Sequence, residues 1–219
     1  MTTSADYRLE HDFLGPREIP ARALYGAHTS RSLENFPISG TPLPIEIIHG
    51  MVLLKLAAAR ANAKLGLLPS AKAAAIEKAC RDILTGAHDT EFPVDIYQAG
   101  SGTSSHMNVN EVIANLANQA LEGGRNHPAA IHPNDDVNMG QSTNNCFPSG
   151  AKIALLRQVA LLTDALSALA GALRAKAREF SGILKAGRTH LQDAVPISLG
   201  QEFDAYAQAV ARAAERLNV

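Results

Sequence analysis

Between Pro148 and Phe180 the chain repeats one apolar seam: Leu155, Val159, Leu162, Leu166, Leu169 and Leu173 stand 4, 3, 4, 3 and 4 residues apart. This is a heptad pattern, which belongs to an α-helix. At about 1.5 Å per residue such a helix would span roughly 50 Å. Leu156 and Leu161 lie off the seam, so more than one face is apolar. A helix of that kind is buried among others. The seam therefore predicts a mostly α chain with a long core helix.

The rest of the chain is punctuated. Residues 1–46 read as irregular, broken by Pro16, Pro20, Pro37, Pro42 and Pro44. A helix is expected from Ile45 to Leu65 with Gly66 as its cap. Ser70 suits the N-cap of a second, which Gly86 closes. Asn108 and Glu111 have capping-box spacing and would open a helix that stops at Gly123-Gly124. Pro148 suits the first position of the long helix. A last helix carries Phe203, Tyr206, Val210, Ala214 and Leu217 on one stripe and reaches Val219 without a stop signal. The expectation is an N-terminal portion of a longer protein.

Charge and composition exclude several classes. Lys and Arg number 20 against 21 Asp and Glu, a net charge of −1, so no basic field points to nucleic acid or a membrane surface. Two cysteines, Cys80 and Cys146, do not make a disulfide framework, and a reducing, cytoplasmic compartment is expected. The first residues lack the apolar core of a signal peptide. No uninterrupted apolar run of about 18 residues occurs, so no membrane span is expected. His132, Asp135 and Asp136 suggest a metal at first sight, but Pro133 intervenes and further ligands are lacking; neither metal nor cofactor is expected.

Three polar stretches remain: Gly100 to Asn110, His132 to Asn145, and Gly187 to Pro196. The last lies in a connection of about 16 residues between two helical patterns, and connections that long are usually functional. Gly100-Ser101-Gly102-Thr103-Ser104-Ser105 lacks the Gly-Lys-Ser/Thr ending of a P-loop and the third Gly of a dinucleotide fingerprint. Small hydroxyls and glycine N–H groups ahead of a helix favour a carboxylate; a Ser/Thr-rich capping turn would look the same. Gln141-Ser142-Thr143-Asn144-Asn145 sets hydroxyls and amides before the long helix, where they could bind a carboxylate or an amine, but by spacing alone ordinary capping by Ser142, Thr143 or Asn144 is the slightly better account. Thr189-His190 adds a group that titrates near neutrality, although a lone His is more often structural than catalytic.

Taken together and in order, Gly100-Ser101-Gly102-Thr103, His132-Pro133-Asn134-Asp135-Asp136-Val137-Asn138, Gln141-Ser142-Thr143-Asn144 and Gly187-Arg188-Thr189-His190-Leu191-Gln192-Asp193 closely resemble the motifs of the aspartase/fumarase superfamily. The likeness runs from Tyr7 to about Arg216 and implies that superfamily's helical fold: an N-terminal mainly helical domain over residues 1–139, then the first part of a long-helix bundle over 140–219. Leu24-Tyr25-Gly26-Ala27-His28-Thr29, Phe13-Leu14-Gly15-Pro16-Arg17-Glu18 and Ser142-Thr143-Asn144 are similar to the aspartate ammonia-lyase forms; the His132 motif and Thr189-His190 fit class II fumarases as well. Aspartate ammonia-lyase is therefore the first expectation, eliminating ammonia from L-aspartate to give fumarate. Class II fumarate hydratase is the alternative, and a truncated, non-catalytic helical module is another.

The resemblance implies roles. Thr103, Ser142 and Thr143 would bind the carboxylate on the carbon that loses its proton. Thr189 and His190 would bind the other carboxylate, with His190 catalytic, and Asn144 the leaving amine or hydroxyl. His132, Asn134 and Asp135 would form a second anion site. The elimination is anti and passes through an enediolate. It also implies a small dicarboxylate substrate and a homotetramer with shared active sites. The family's base is a serine in a Gly-Ser-Ser-x-Met-Pro-x-Lys-x-Asn-Pro signature, which this sequence does not contain. Asn145 and His106 also depart from the family pattern, standing where Asp and Asn are usual.

Overall fold

The computed structural model describes residues 6–121 and 130–217. A hairpin of β1 (Tyr7–Asp12) and β2 (Gly15–Pro20) leads into α1 (Ala27–Asn35), α2 (Ile45–Lys64), α3 (Ser70–Ile83) and α4 (Thr103–Gln119). A short π-helical turn, Pro133–Val137, precedes α5 (Thr143–Glu179), a second hairpin of β3 (Leu184–Thr189) and β4 (Gln192–Ser198), and α6 (Leu199–Leu217). The chain is mostly helical, as the seam predicts. By contacts it divides into two compact units, Met1–Ala154 and Leu155–Val219, the break falling inside α5; the resemblance puts the domain boundary just before that helix.

The first unit has its core where three helices meet. Ile48, Met51 and Val52 of α2, Ile76, Cys80 and Ile83 of α3, and Val109, Val112 and Ile113 of α4 are all buried. Each large aliphatic side chain so placed contributes roughly 1.5–3 kcal/mol. The start of α5 docks on this core through glycine. A side chain at Gly50 would overlap the Gly150 carbonyl oxygen, and one at Gly102 would overlap the Phe147 ring. Only bare backbone lets α5 come this close to α2 and to the start of α4.

The structure departs from the sequence pattern at several points. The N-terminal region is not irregular: β1 and β2 pair antiparallel from Tyr7↔Pro20 to Asp12↔Gly15. The prolines stand at strand ends and loops, where no ladder N–H is lost. Asn108 opens nothing; α4 already starts at Thr103. Asn108 lies within the helix, donating to the Glu91 carbonyl. Glu111 instead closes α1, accepting from the N–H groups of Gly26, His28 and Thr29 and from the Thr29 hydroxyl. Pro148 sits inside α5 because Ser142 begins the helix earlier, accepting from the N–H of Cys146 at 2.9 Å. Ser70 is the first residue of α3 and Pro69 its cap. The Gly123-Gly124 stop lies outside the described residues.

In the second unit, the start of α6 is a reciprocal capping box. The Gln201 N–H donates to Ser198 Oγ at 3.1 Å, and the Ser198 N–H to Gln201 Oε1 at 2.9 Å. Phe180 and Phe203 meet edge to face at 5.3 Å. The expected burial of the long helix is not met within one chain: Leu155, Leu156, Leu161, Leu162 and Leu169 are all exposed. An 18-residue window of α5 also reaches a mean hydropathy of 1.5, so by length and composition this helix could cross a membrane. The pattern of uninterrupted apolar runs missed it because polar residues punctuate its Ala and Leu.

Candidate active site

Two helix N-termini converge in the first unit. Thr103 is the first residue of α4, reached through Gly102 at φ 85°, a left-handed conformation suited to glycine. Gln98 holds this end: the Ser105 N–H donates to Gln98 Oε1, and Gln98 Nε2 donates to Ser105 Oγ, both at 2.8 Å. The N–H groups of Thr103 and Ser104 belong to the first turn, which has no intrahelical acceptors. Thr143 begins α5, and Ser142 Oγ accepts the Asn144 N–H at 3.2 Å. Ser142 is therefore a cap, as a purely local role requires, and its hydroxyl proton is still available to a ligand.

His106 ties the two ends together. It stands one turn after Thr103 on the same face of α4, and its Nδ1 lies 2.7 Å from Thr143 Oγ1. Its Nε2 lies 2.6 Å from Lys55 Nζ. Lys55 also donates to Asn138 Oδ1 at 2.8 Å and faces Cys146 Sγ at 3.9 Å. Burial pushes the Lys55 ammonium down to about 8. Burial, and then the Lys55 charge, push the His106 imidazole down to about 4. Thr143 thus has a positive charge set two hydrogen bonds behind it; Ser142 and Asn144 flank it in the chain, Thr103 lies one turn before His106 on α4, and all four are partly or fully exposed.

The other predicted residues have different surroundings. His132 Nδ1 accepts the N–H groups of Asn134 and Asp135 at 3.3 and 3.1 Å, so the neutral ring keeps its donor on Nε2. Asp135 Oδ2 stands 3.2 Å from the same Nδ1 and pairs with it only when the ring is charged. Asp136 is committed to Lys72 at 2.8 Å. Thr189 and His190 belong to the second unit. They lie in no irregular loop: β3 and β4 pair through Thr189↔Gln192, and His190 and Leu191 form the two-residue turn with φ of 51° and 62°. This is the conformation of a tight hairpin turn, filled here by residues that disfavour it. The hairpin went unseen because neither turn residue is Asn or Gly, and both strand faces are largely exposed. Among the described residues no His, Cys, Asp and Glu group is arranged to hold a metal.

Lys55, Asn138 and Cys146 have roles here that the sequence reading does not give them. A signal was present for one of them: Ile48, Met51, Val52, Lys55 and Ala59 form one buried helical stripe, and Lys is the charged member at a core position.

Residues 15–219 match a family profile described as Lyase. The chain belongs to this lyase family, within the fumarase–aspartase superfamily. It is 48% identical over 219 residues to a class II fumarate hydratase of Xylella fastidiosa, covering 100% of this chain and 45% of the relative. It is 50% identical over 215 residues to a class II fumarate hydratase of Mycobacterium tuberculosis, covering 98% and 44%. A crystal structure of fumarate lyase:delta crystallin from Brucella melitensis superposes with a TM-score of 0.90 at 48% identity, over 97% of this chain and 50% of that one. The chain thus spans somewhat under half the length of the curated relatives it matches.

These likenesses overturn the preference for aspartate ammonia-lyase. The fold shows why the sequence misled. Three backbone N–H groups and the hydroxyl of Leu24-Tyr25-Gly26-Ala27-His28-Thr29 are spent on Glu111. That motif closes the N-terminus of α1, and its bonding to Glu111 carries no reading of amine against hydroxyl as the leaving group.

Proposed function

We propose that this chain builds the substrate-binding part of a class II fumarate hydratase site, at which water adds reversibly to fumarate to give L-malate. The observation that carries this is the junction of α4 and α5, joined by His106 Nδ1 and Thr143 Oγ1 at 2.7 Å. Further support comes from the named activity of the relatives at 48% and 50% identity. In the malate-to-fumarate direction a proton leaves the carbon beside one carboxylate, and that carboxylate takes up the electron pair as an enediolate. Hydroxide leaves from the other carbon on the opposite face. Thr103, Ser142, Thr143 and two helix N-termini meet the doubling charge with donors already in place. Asn144 holds the leaving hydroxyl; Thr189 and His190, in the second unit, are by the resemblance residues that bind a second carboxylate in the assembled protein. His132, Asn134 and Asp135 form an accessory anion site, with His132 Nε2–H as its donor.

The base that takes the proton is not among these residues; by resemblance it belongs to the serine signature outside this sequence. The exposed apolar seam of α5 supports a homotetramer with shared sites, in which partner subunits and not a membrane cover it; a cytoplasmic location without nucleic-acid partners is in keeping with the balanced charge and the two cysteines. The test combines this chain with the segment of the Mycobacterium tuberculosis relative outside the match. Fumarate should then hydrate, read as loss of its ultraviolet absorbance. Thr143→Val should weaken fumarate binding to the chain about tenfold by calorimetry. Release of ammonia from aspartate in preference to dehydration of malate would overturn the assignment.

A further inference from the structure

Lys55 is buried with 0% exposure in a stripe of aliphatic residues, and it bonds to no carboxylate among the described residues. A buried charge without a counterion is costly. We propose that Lys55 and His106 form a positioning pair that fixes the direction of the hydrogen bond at Thr143, turning the threonine proton outward to a bound carboxylate. The proposal rests on the reading of the α4–α5 junction as a carboxylate site.

The geometry allows one consistent set of donors. A protonated lysine has three hydrogens and no lone pair. It faces three acceptors: His106 Nε2 at 2.6 Å, Asn138 Oδ1 at 2.8 Å and Cys146 Sγ at 3.9 Å. Nε2 must then present its lone pair, and the neutral ring carries its hydrogen on Nδ1. Nδ1 donates to Thr143 Oγ1 at 2.7 Å. The hydroxyl oxygen is already accepting on its inner side, so its own proton points away from the ring. Only a neutral lysine, whose nitrogen carries a lone pair, would let the chain run backwards. Nε2–H would donate to the amine, Nδ1 would accept from Thr143, and the threonine would turn lone pairs toward an incoming anion.

The titration behaviour supports the first direction. Lys55 is lowered only to about 8 and so stays protonated at neutral pH, whereas His106 at about 4 stays neutral. The other titratable groups facing Lys55 are the Cys146 thiol and the Cys80 thiol, the latter pushed up to about 12 by burial and so uncharged.

The direction of this bond can be read directly. In the whole chain labelled with 15N-histidine, long-range nitrogen–proton correlation spectra at neutral pH should find the His106 proton on Nδ1. A proton on Nε2 would overturn the proposal. Asparagine can accept from Lys55 and donate to Thr143, so His106→Asn should keep fumarate affinity within about threefold, while His106→Leu should lose about tenfold. Equal affinities in the two variants would likewise overturn it. If fumarate leaves the His106 signals unmoved while the proton sits on Nδ1, the dicarboxylate assignment of the site falls and the direction of the bond stands.

Discussion

At the start of α5, Thr143 is held by His106, itself 2% exposed and backed by the fully buried Lys55. At the tip of β3–β4, His190 stands beside Leu191, which is 99% exposed. Both places carry residues proposed to bind a carboxylate, and they are built by different means. The first spends free energy on burying a charge and a ring, and in return gains donors whose positions are fixed before a ligand arrives. The second spends it on backbone conformation, with two non-glycine residues at positive φ. Rigid preorganisation comes from the packed core, and the strained turn presents its side chains to whatever meets the hairpin.

The contrast can be broken most severely at the glycine contact beneath the first site. Gly50→Val would push a side chain into the Gly150 carbonyl, and a loss of about 3 kcal/mol or more is expected in denaturant melts. An unchanged midpoint would mean that α5 is not held there. A second test is acid. His106 stays neutral in the fold down to about 4, while an unfolded histidine takes its proton near 6.5. Between those values the unfolded chain binds more protons, so stability falls as pH falls through that window. The loss is on the order of 3 kcal/mol by pH 4, and His106→Asn should remove it from the pH profile.

The hairpin should respond in the opposite sense and more weakly. Leu191→Gly relieves a left-handed leucine that touches solvent almost entirely, and should stabilise the chain by about 1 kcal/mol. A loss of stability would mean that Leu191 packs on something. The smallest effect on folding is expected of His190→Ala: within about 0.5 kcal/mol, since the side chain is exposed. In the assembled enzyme the same change should lower kcat/KM several-fold or more.

The sequence by itself determined the helical class, α2 nearly to the residue, and the polar stretches that become the two helix N-termini. These follow from local periodicity and capping chemistry, which depend on neighbours a few residues away. The hairpin at Thr189–Gln192 was not legible, because its turn carries His and Leu where Asn and Gly would have marked it. The pairing of Glu111 with Gly26, His28 and Thr29 joins residues 82 to 85 positions apart, and no local spacing encodes it. Only the tertiary structure decided that Asn108 is buried in mid-helix, that Gly50 meets Gly150, and that Lys55 stands behind Thr143. Each of these depends on which helix faces meet in the core, and that is set by packing across the whole unit.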